Sequence, residues 1–270
     1  MRKQRDQPRP TAADDDAADD LPPPSRGPDE IDQLIARHGA DIVCAALTPA
    51  LTPDRIARID AVLAARLGSI VTVVEDVYEP HNGGAVIRST EALGLQELHV
   101  IEPGVRFQAA RGITRGCHRW IDLHRWPSAR PCLDALHARG FQVLATSPAA
   151  TTTLDEIDVS RPCAIVFGNE HAGLPATTIA ACDGAIALPM WGFTQSFNLS
   201  VSAALVTSLL AARRRALLGA PGDLPEERRR HLRARWFALK IRGAAGIVER
   251  TVSSETRSDV APGPQPRDNS

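Results

Sequence analysis

The sequence predicts an α/β fold, a parallel sheet covered by helices, from three observations. Beyond residue 69, short apolar runs alternate with helix-like segments. The runs are continuously apolar, as in strands buried on both faces. Three of them lead directly into loops rich in Gly and Asn. In chain order, residues 1–29 are rich in Pro, Asp and Ala without periodicity, and residues 253–270 (SSETRSDVAPGPQPRDNS) are similar, so both tails are expected to be disordered. Ile31, Leu34, Ile35 and His38 fit one helix. Thr52-Pro53 followed by Ile56, Ile59, Val62 and Leu63 fits a second with Thr52 as its cap, so residues 30–68 read as a helical N-terminal extension.

The α/β block, residues 69–220, then unfolds as strand IVTVVE, a helix near 84–93, and strand ELHVIE. Strands FQVLAT (141–146) and AIVFG (164–168), a short helix near 175–181, strand AIALPM (185–190) and a long helix from Asn198 follow. Residues 221–252 are expected to hold one basic C-terminal helix, from 225 to about 250, with Leu232, Trp236, Leu239 and Ile247 on its apolar side.

A chain of 270 residues with 43% apolar content can bury a core. It contains no run of about 18 apolar residues, and its N-terminus lacks the apolar centre of a signal peptide, so a cytoplasmic protein without a membrane partner is expected. Five scattered cysteines form no C-x-x-C pair, which indicates neither a disulfide framework nor a zinc site. The net charge of −1 conceals a segregation of sign. Residues 210–250 carry eleven bases (Arg213, Arg214, Arg215, Arg228, Arg229, Arg230, Arg233, Arg235, Lys240, Arg242, Arg250) against four acids (Asp223, Glu226, Glu227, Glu249), a balance of +7. Such a cluster favours a polyanionic partner, although each arginine taken alone reads as part of a solvated helix face.

Three blocks place polar residues just beyond an apolar strand: EPHNGGAVIR (79–88), GNEHAGLP (168–175) and TQSFN (194–198). In a parallel sheet these share the carboxyl edge, where ligands bind. Asn82 is placed to cap a helix opened by Gly83 and Gly84. Helical side chains lean toward the N-terminus, so Arg88 is expected to extend back over Gly84 toward Asn82, with an ion pair to Glu91 or Glu75 as the structural alternative. Gly168 and Gly173 are expected to permit close backbone approach and a tight turn around Glu170. Ser196 or Asn198 caps the long helix or serves a ligand site. No P-loop, G-x-G-x-x-G or G-x-S-x-G motif occurs, and no metal-ligand spacing joins His171 to another donor.

Taken together, VVEDVYEPHNGGAVIRSTEALGLQELHVI, CAIVFGNEHAGLP and IALPMWGFTQSFNLSVSAALV resemble, in order and spacing, the three motifs of the SPOUT methyltransferases, in the branch containing tRNA guanosine ribose 2'-O-methyltransferases. The resemblance covers residues 52–215 closely and extends more weakly over the basic segment PEERRRHLRARWFALK. It implies a C-terminal trefoil knot, a rare exception to un-knotted topology, a homodimer, and S-adenosyl-L-methionine as cofactor without a metal. Cofactor contacts would fall on Thr146, Gly168, Leu188, Met190 and Phe197. Asn82, Arg88, Glu170, Ser196 and Asn198 match the polar active-site positions, and Arg228, Arg229, Arg233 and Lys240 lie in the segment that would contact RNA. The family role of the residue matching Arg88 is to activate a ribose 2'-hydroxyl. Guanidinium groups hold their proton tightly, so positioning the hydroxyl and a neighbouring phosphate is the role favoured here. The Gly83-Gly84 pair and Phe197 depart modestly from the pattern. The implied substrate is tRNA, at the D-loop guanosine 18. Ribosomal RNA is the alternative, disfavoured because residues 31–68 are too short for a separate RNA-binding domain. A non-catalytic RNA-binding protein with the same fold would be expected to show a broken motif.

Overall fold

The computed structural model describes residues 29–104 and 106–258; the remainder of both tails expected to be disordered lies outside the described residues. Three helices come first, α1 (Glu30–His38), α2 (Ala40–Leu47) and α3 (Pro53–Ala64). The α/β part follows as β1 (Ile70–Glu75), α4 (Pro80–Ala92), β2 (Glu97–Ile101), α5 (Arg111–Thr114), β3 (Asp122–Trp126), α6 (Ala129–Ala138) and β4 (Gln142–Thr146). It continues with β5 (Cys163–Phe167), α7 (Ala176–Ala180), β6 (Gly184–Ile186) and α8 (Leu199–Leu218). Helices α9 (Glu226–Lys240) and α10 (Ala244–Ser258) close the described chain.

All six strands are parallel, in the order β3-β2-β1-β5-β4-β6. Both faces are covered, which is why the central strands read as unbroken apolar runs. Ile70, Val74, Leu98, Ile165 and Phe167 pack with Val86 and Ile87 of α4 and Val206 and Leu210 of α8. Val71, Val73, Val143 and Val166 pack against Cys132, Leu133 and Leu136 of α6.

Where the structure departs from the sequence reading, edges and short elements are responsible. Strand β3 was not anticipated because an edge strand need not be apolar, and DLHRW contains three charged or ionisable residues among five. Helices α2 and α6 also escaped notice, being short; the N-cap of α2 is Gly39, and the Ser128 N-cap of α6 makes no side-chain cap bond. Strand β6 stops at Ile186, short of the expected Met190, because it is the other edge and Pro189 has no N–H to donate. The single basic helix is two, interrupted at residues 241–243, where Gly243 takes φ +72°. Helix α10 then runs to Ser258, so residues 253–258 are helical where disorder was expected.

The terminal helices share a core of their own. Leu34, Val43, Leu47, Ile59 and Leu63 from α1–α3 pack with Leu232, Trp236 and Phe237 of α9 and Val248 of α10. This helical unit is tied to the sheet by residues 219–224. Asp223 accepts hydrogen bonds from the Gly68 amide at 2.7 Å and the Arg214 Nε at 3.2 Å. Arg213 donates to the carbonyls of Leu154 and Ile157, and Arg215 to those of Ala65, Leu93 and Pro221. Arg214 also donates to the Val159 and Ser160 carbonyls, so three of the eleven bases counted above are structural clamps on backbone carbonyls.

Acid groups of the N-terminal helices meet the arginines of α9. Asp29 caps α1 by accepting from the Asp32 amide and also binds Arg235. Asp32 binds Arg235 at 2.6 Å and His231 at 3.2 Å. Burial by itself would raise the Asp32 pKa, but the His231 hydrogen bond and the Arg235 charge outweigh it and hold the carboxyl at about 2. A carboxyl depressed on folding contributes stability above its unfolded pKa near 4, and that stability is lost as pH falls toward 2. Asp32→Asn is expected to cost about 1 kcal/mol at pH 7, after discounting the linkage for solvent screening, and only a small part of that at pH 2. Denaturant titrations across pH 2–7 check this; an unchanged acid limb would exclude it.

Candidate active site

The strand order reverses between β1 and β5, the place where open parallel sheets leave a crevice beyond their carboxyl ends. Helix α4 starts just after β1, residues 168–173 follow β5, and the loop after β6 leads into α8. All three sequence blocks therefore reach the same edge.

They are joined by side chains. Asn82 lies in the first turn of α4, buried, and donates from Nδ2 to Glu170 Oε1 at 2.6 Å. Its Oδ1 accepts from Asn198 Nδ2 at 3.0 Å. Asn198 in turn caps α8, its Oδ1 accepting from the Ser200 amide at 2.9 Å. Asn198 thus caps α8 through its oxygen and joins the first motif loop through its nitrogen, which donates to Asn82. Asn82 itself is not a cap, contrary to expectation. The helix begins earlier, with Pro80 in its first turn and Glu79 at the N-cap position, leaving Asn82 free to point inward. Glu170 Oε2 is buried and has no hydrogen-bond partner. A buried acceptor of this kind leaves room for a donor from a bound molecule.

The glycines serve the protein's own packing. A Cβ at Gly83 would stand 2.3 Å from the Gln108 carbonyl oxygen, and one at Gly84 3.1 Å from Ile113 Cβ, so segment 107–113 lies directly on α4. Arg88 is exposed and its Nη1 donates to the Ile113 carbonyl at 3.2 Å, on that same segment. The guanidinium is not hydrogen-bonded to Asn82. Neither carboxylate of the structural alternative holds it, since Glu91 pairs with Arg66 and Glu75 accepts from Thr178.

Gly168 was expected to let a ligand approach. The missing Cβ instead faces its own loop, where it would lie 2.3 Å from the Gly173 carbonyl carbon. Residues 169–173 form a tight reversal closed by paired Asn169 and Gly173 backbone hydrogen bonds, with Gly173 at φ +68°. Gly168→Ala is expected to cost about 3 kcal/mol and to displace Glu170, since backbone cannot yield as a side chain tip would. Thermal denaturation measures the first effect; a melting point within 2 °C of the parent would exclude the clash, roughly the smallest shift that 1 kcal/mol produces in a domain of this size.

The remaining positions gather at the same edge. Thr146 is in register with Ile186 of β6, and Ala145 with Val166 of β5, so Thr146, Gly168 and Leu188 lie at neighbouring strand ends. Leu188 packs on the core, Met190 is half-buried, and Ser196 and Phe197 are exposed. Residues 69–208 match the SpoU rRNA Methylase family.

The chain belongs to the SpoU rRNA Methylase family.

It is 35% identical to a tRNA (guanosine(18)-2'-O)-methyltransferase from Borreliella burgdorferi over 185 residues, 68% of this chain and 82% of that relative. A Thermus thermophilus protein of the same name is 34% identical over 175 residues, covering 64% and 89% of the two chains. Among solved structures, the A. aeolicus TrmH/SpoU tRNA modifying enzyme is similar with a TM-score of 0.63 and 28% identity, over 70% of this chain and 98% of that one.

In this SpoU chain the basic segment is largely neutralised in space. Arg228 pairs with Asp122, Arg229 with Glu226, Arg230 with Asp41, and Arg233 with both oxygens of Asp60. Arg233 also lies over the Phe237 ring at 4.5 Å, and Lys240 over Trp120 at 4.6 Å. Summing charge along the chain could not show this, because Asp41, Asp60 and Asp122 lie outside the summed window. Glu97, His99 and His124 bring ligand atoms within 4.8 Å of one another. Arg139 already holds Glu97 at two points, 2.7 and 2.8 Å, and His99 Nδ1 accepts from Trp126 Nε1, so the cluster reads as an ion-pair network tying α6 to β2.

Proposed function

We propose that this SpoU protein methylates the 2'-hydroxyl of a tRNA ribose with S-adenosyl-L-methionine as donor, and that the target is guanosine 18. The Asn198–Asn82–Glu170 hydrogen-bond chain carries the reading: it welds the three motif loops at the switch point and leaves one buried carboxylate oxygen open. The names of relatives at 34–35% identity support the substrate. A tRNA substrate supports a cytoplasmic location as part of this reading. Among the described residues no helix is long and apolar enough to cross a membrane.

The residues present fit the cofactor. Thr146, Gly168 and Leu188 offer adjacent strand ends, Leu188 and Met190 offer apolar surface, and Phe197 can close over it. When bound there, S-adenosylmethionine supplies a methyl group on a positively charged sulfur. Arg88 orients the ribose hydroxyl and an adjacent phosphate and stabilises negative charge developing on the oxygen. Glu170, fixed by Asn82, offers its open oxygen to a donor on the substrate, and Ser196 stands at the mouth of the loop. No metal enters this scheme.

The fold around the site is proposed to be a trefoil knot. Strand β6 lies at the sheet's outer edge, yet α8 returns to pack on β1, β5 and α4, and the Ala187 amide is hydrogen-bonded to Thr152 in the loop after β4. A homodimer completes the proposal. Helix α8 exposes Val201, Leu205 and Leu209 on one stripe, with Trp191 and Phe193 exposed in the loop before it, a patch suited to a second copy of the chain. RNA contacts are proposed for Arg228, Arg229, Arg233 and Lys240. Lys240 lies over the Trp120 ring at 4.6 Å, beside the cavity described below.

Incubation with labelled S-adenosylmethionine and separate tRNA and ribosomal RNA pools, followed by mapping of 2'-O-methyl sites, tests the activity. Label at one tRNA guanosine is expected. Label confined to ribosomal RNA, or a protein without cofactor affinity, overturns the assignment.

A further inference from the structure

A cavity of about 480 Å³ opens between α3, α9 and the end of α4, and none of its lining residues belongs to the loop site. Ile59 and Val62 of α3 and the rings of Trp120 and Trp236 line it with apolar surface. The two indoles meet edge to face at 5.4 Å. Arg66, 1% exposed, also lines it. One Nη donates to the Leu95 carbonyl and the other to Glu91 Oε1, both at 3.0 Å, while its buried Nε–H has no partner. An unpaired buried guanidinium donor is costly, and an acceptor entering the cavity would satisfy it. Arg55, Arg58 and Lys240 add cations against the carboxylates of Asp54 and Glu91, leaving the lining net positive with Arg66 included. Among the described residues Arg55 and Arg58 have no ion-pair partner.

We propose that this cavity receives an unpaired base of the RNA substrate, stacked on Trp120, with the flanking phosphates on Arg55, Arg58 and Lys240. The proposal rests on the RNA reading above and locates a second nucleotide outside the reacting one. Size, flat aromatic walls and a cationic rim are what single-stranded RNA binding requires. The Arg66 Nε–H suits a neutral acceptor, a base carbonyl or ring nitrogen. Lys240 covers the Trp120 ring now, and its flexible stem lets the ammonium swing to a phosphate and uncover the ring. Glu91 stands nine residues beyond Asn82 on α4, roughly 14 Å along the helix axis. That is about four stacked nucleotide steps at ~3.4 Å each, so one RNA loop can reach both places.

Val62→Phe fills the cavity without changing charge, and Arg58→Ala removes a rim cation. Binding of an in vitro transcribed tRNA is measured across a salt series, with S-adenosylmethionine affinity and melting temperature as folding controls. Val62→Phe is expected to weaken tRNA binding about tenfold with an unaltered salt slope, the loss of one stacked base. Arg58→Ala is expected to lower the slope by about one. If Val62→Phe melts early, Trp120→Leu reads the same loss of stacking. Binding within twofold of the parent in a folded cavity variant overturns the pocket, whereas a parent protein that does not bind tRNA overturns the RNA reading itself.

Discussion

Arg88→Ala is expected to lower the rate of methyl transfer roughly 10²–10³-fold, about 3–4 kcal/mol of transition-state stabilisation, while affinity for S-adenosylmethionine stays within twofold. The reasoning starts from its surroundings. Among the described residues its hydrogen bond goes to a backbone carbonyl, Ile113, and the side chain is exposed. Loss of such a bond costs about 1 kcal/mol of stability or less. A purely structural arginine would therefore show a small change in both melting temperature and activity. A positioning arginine separates the two, with turnover collapsing while the fold persists. Arg88→Lys should recover only part of the rate, because a single ammonium cannot span hydroxyl and phosphate as the planar guanidinium does. Single-turnover assays with saturating cofactor make the measurement, and unchanged turnover in Arg88→Ala would remove this residue from the reaction.

Asn82→Asp is expected to abolish detectable transfer at neutral pH and to destabilise the fold by about 2–3 kcal/mol, with the stability loss receding in acid. The substitution sets a carboxyl against Glu170 at the place where an amide now donates over 2.6 Å. Two carboxylates so close cannot both ionise, so one keeps a proton in the folded state well above the unfolded pKa near 4. The folded state then binds more protons than the unfolded state, and stability falls as pH rises from about 4. Asn82→Ala, which removes the donor without adding a second carboxyl, should lose activity and stability with a much weaker pH trend. Melting temperatures of both variants at pH 4.5 and pH 8 distinguish them. Equal deficits at the two pH values for Asn82→Asp would mean that Asn82 and Glu170 are not paired in solution.

Much of this site was legible beforehand because its parts are local. A polar loop after an apolar strand is a pattern within ten residues, and a parallel sheet brings such loops to one edge. What joins them was not legible. Asn82 meets Glu170 across 88 residues and Asn198 across 116, and nothing in the spacing of an asparagine says which carboxylate it will find. The same limit misled the reading of Gly168 and of the Gly83-Gly84 pair, where glycine signals a close neighbour without naming it. Here the neighbours are the chain's own segments at Gly173 and residues 107–113.

The basic C-terminal segment shows the limit most plainly. The order of residues alone determined that eleven cations lie within 41 residues and that the chain has the apolar, alternating pattern of a covered parallel sheet. Tertiary structure decided what those cations do. Arg213, Arg214 and Arg215 hold loop carbonyls, Arg228, Arg230, Arg233 and Arg235 hold carboxylates from distant elements, and α3 arginines outside the counted window line the cavity. The physical reason is range. Hydrophobic periodicity is written into neighbouring residues, whereas Coulomb and hydrogen-bond partners are chosen by distance in space, which only the folded chain supplies.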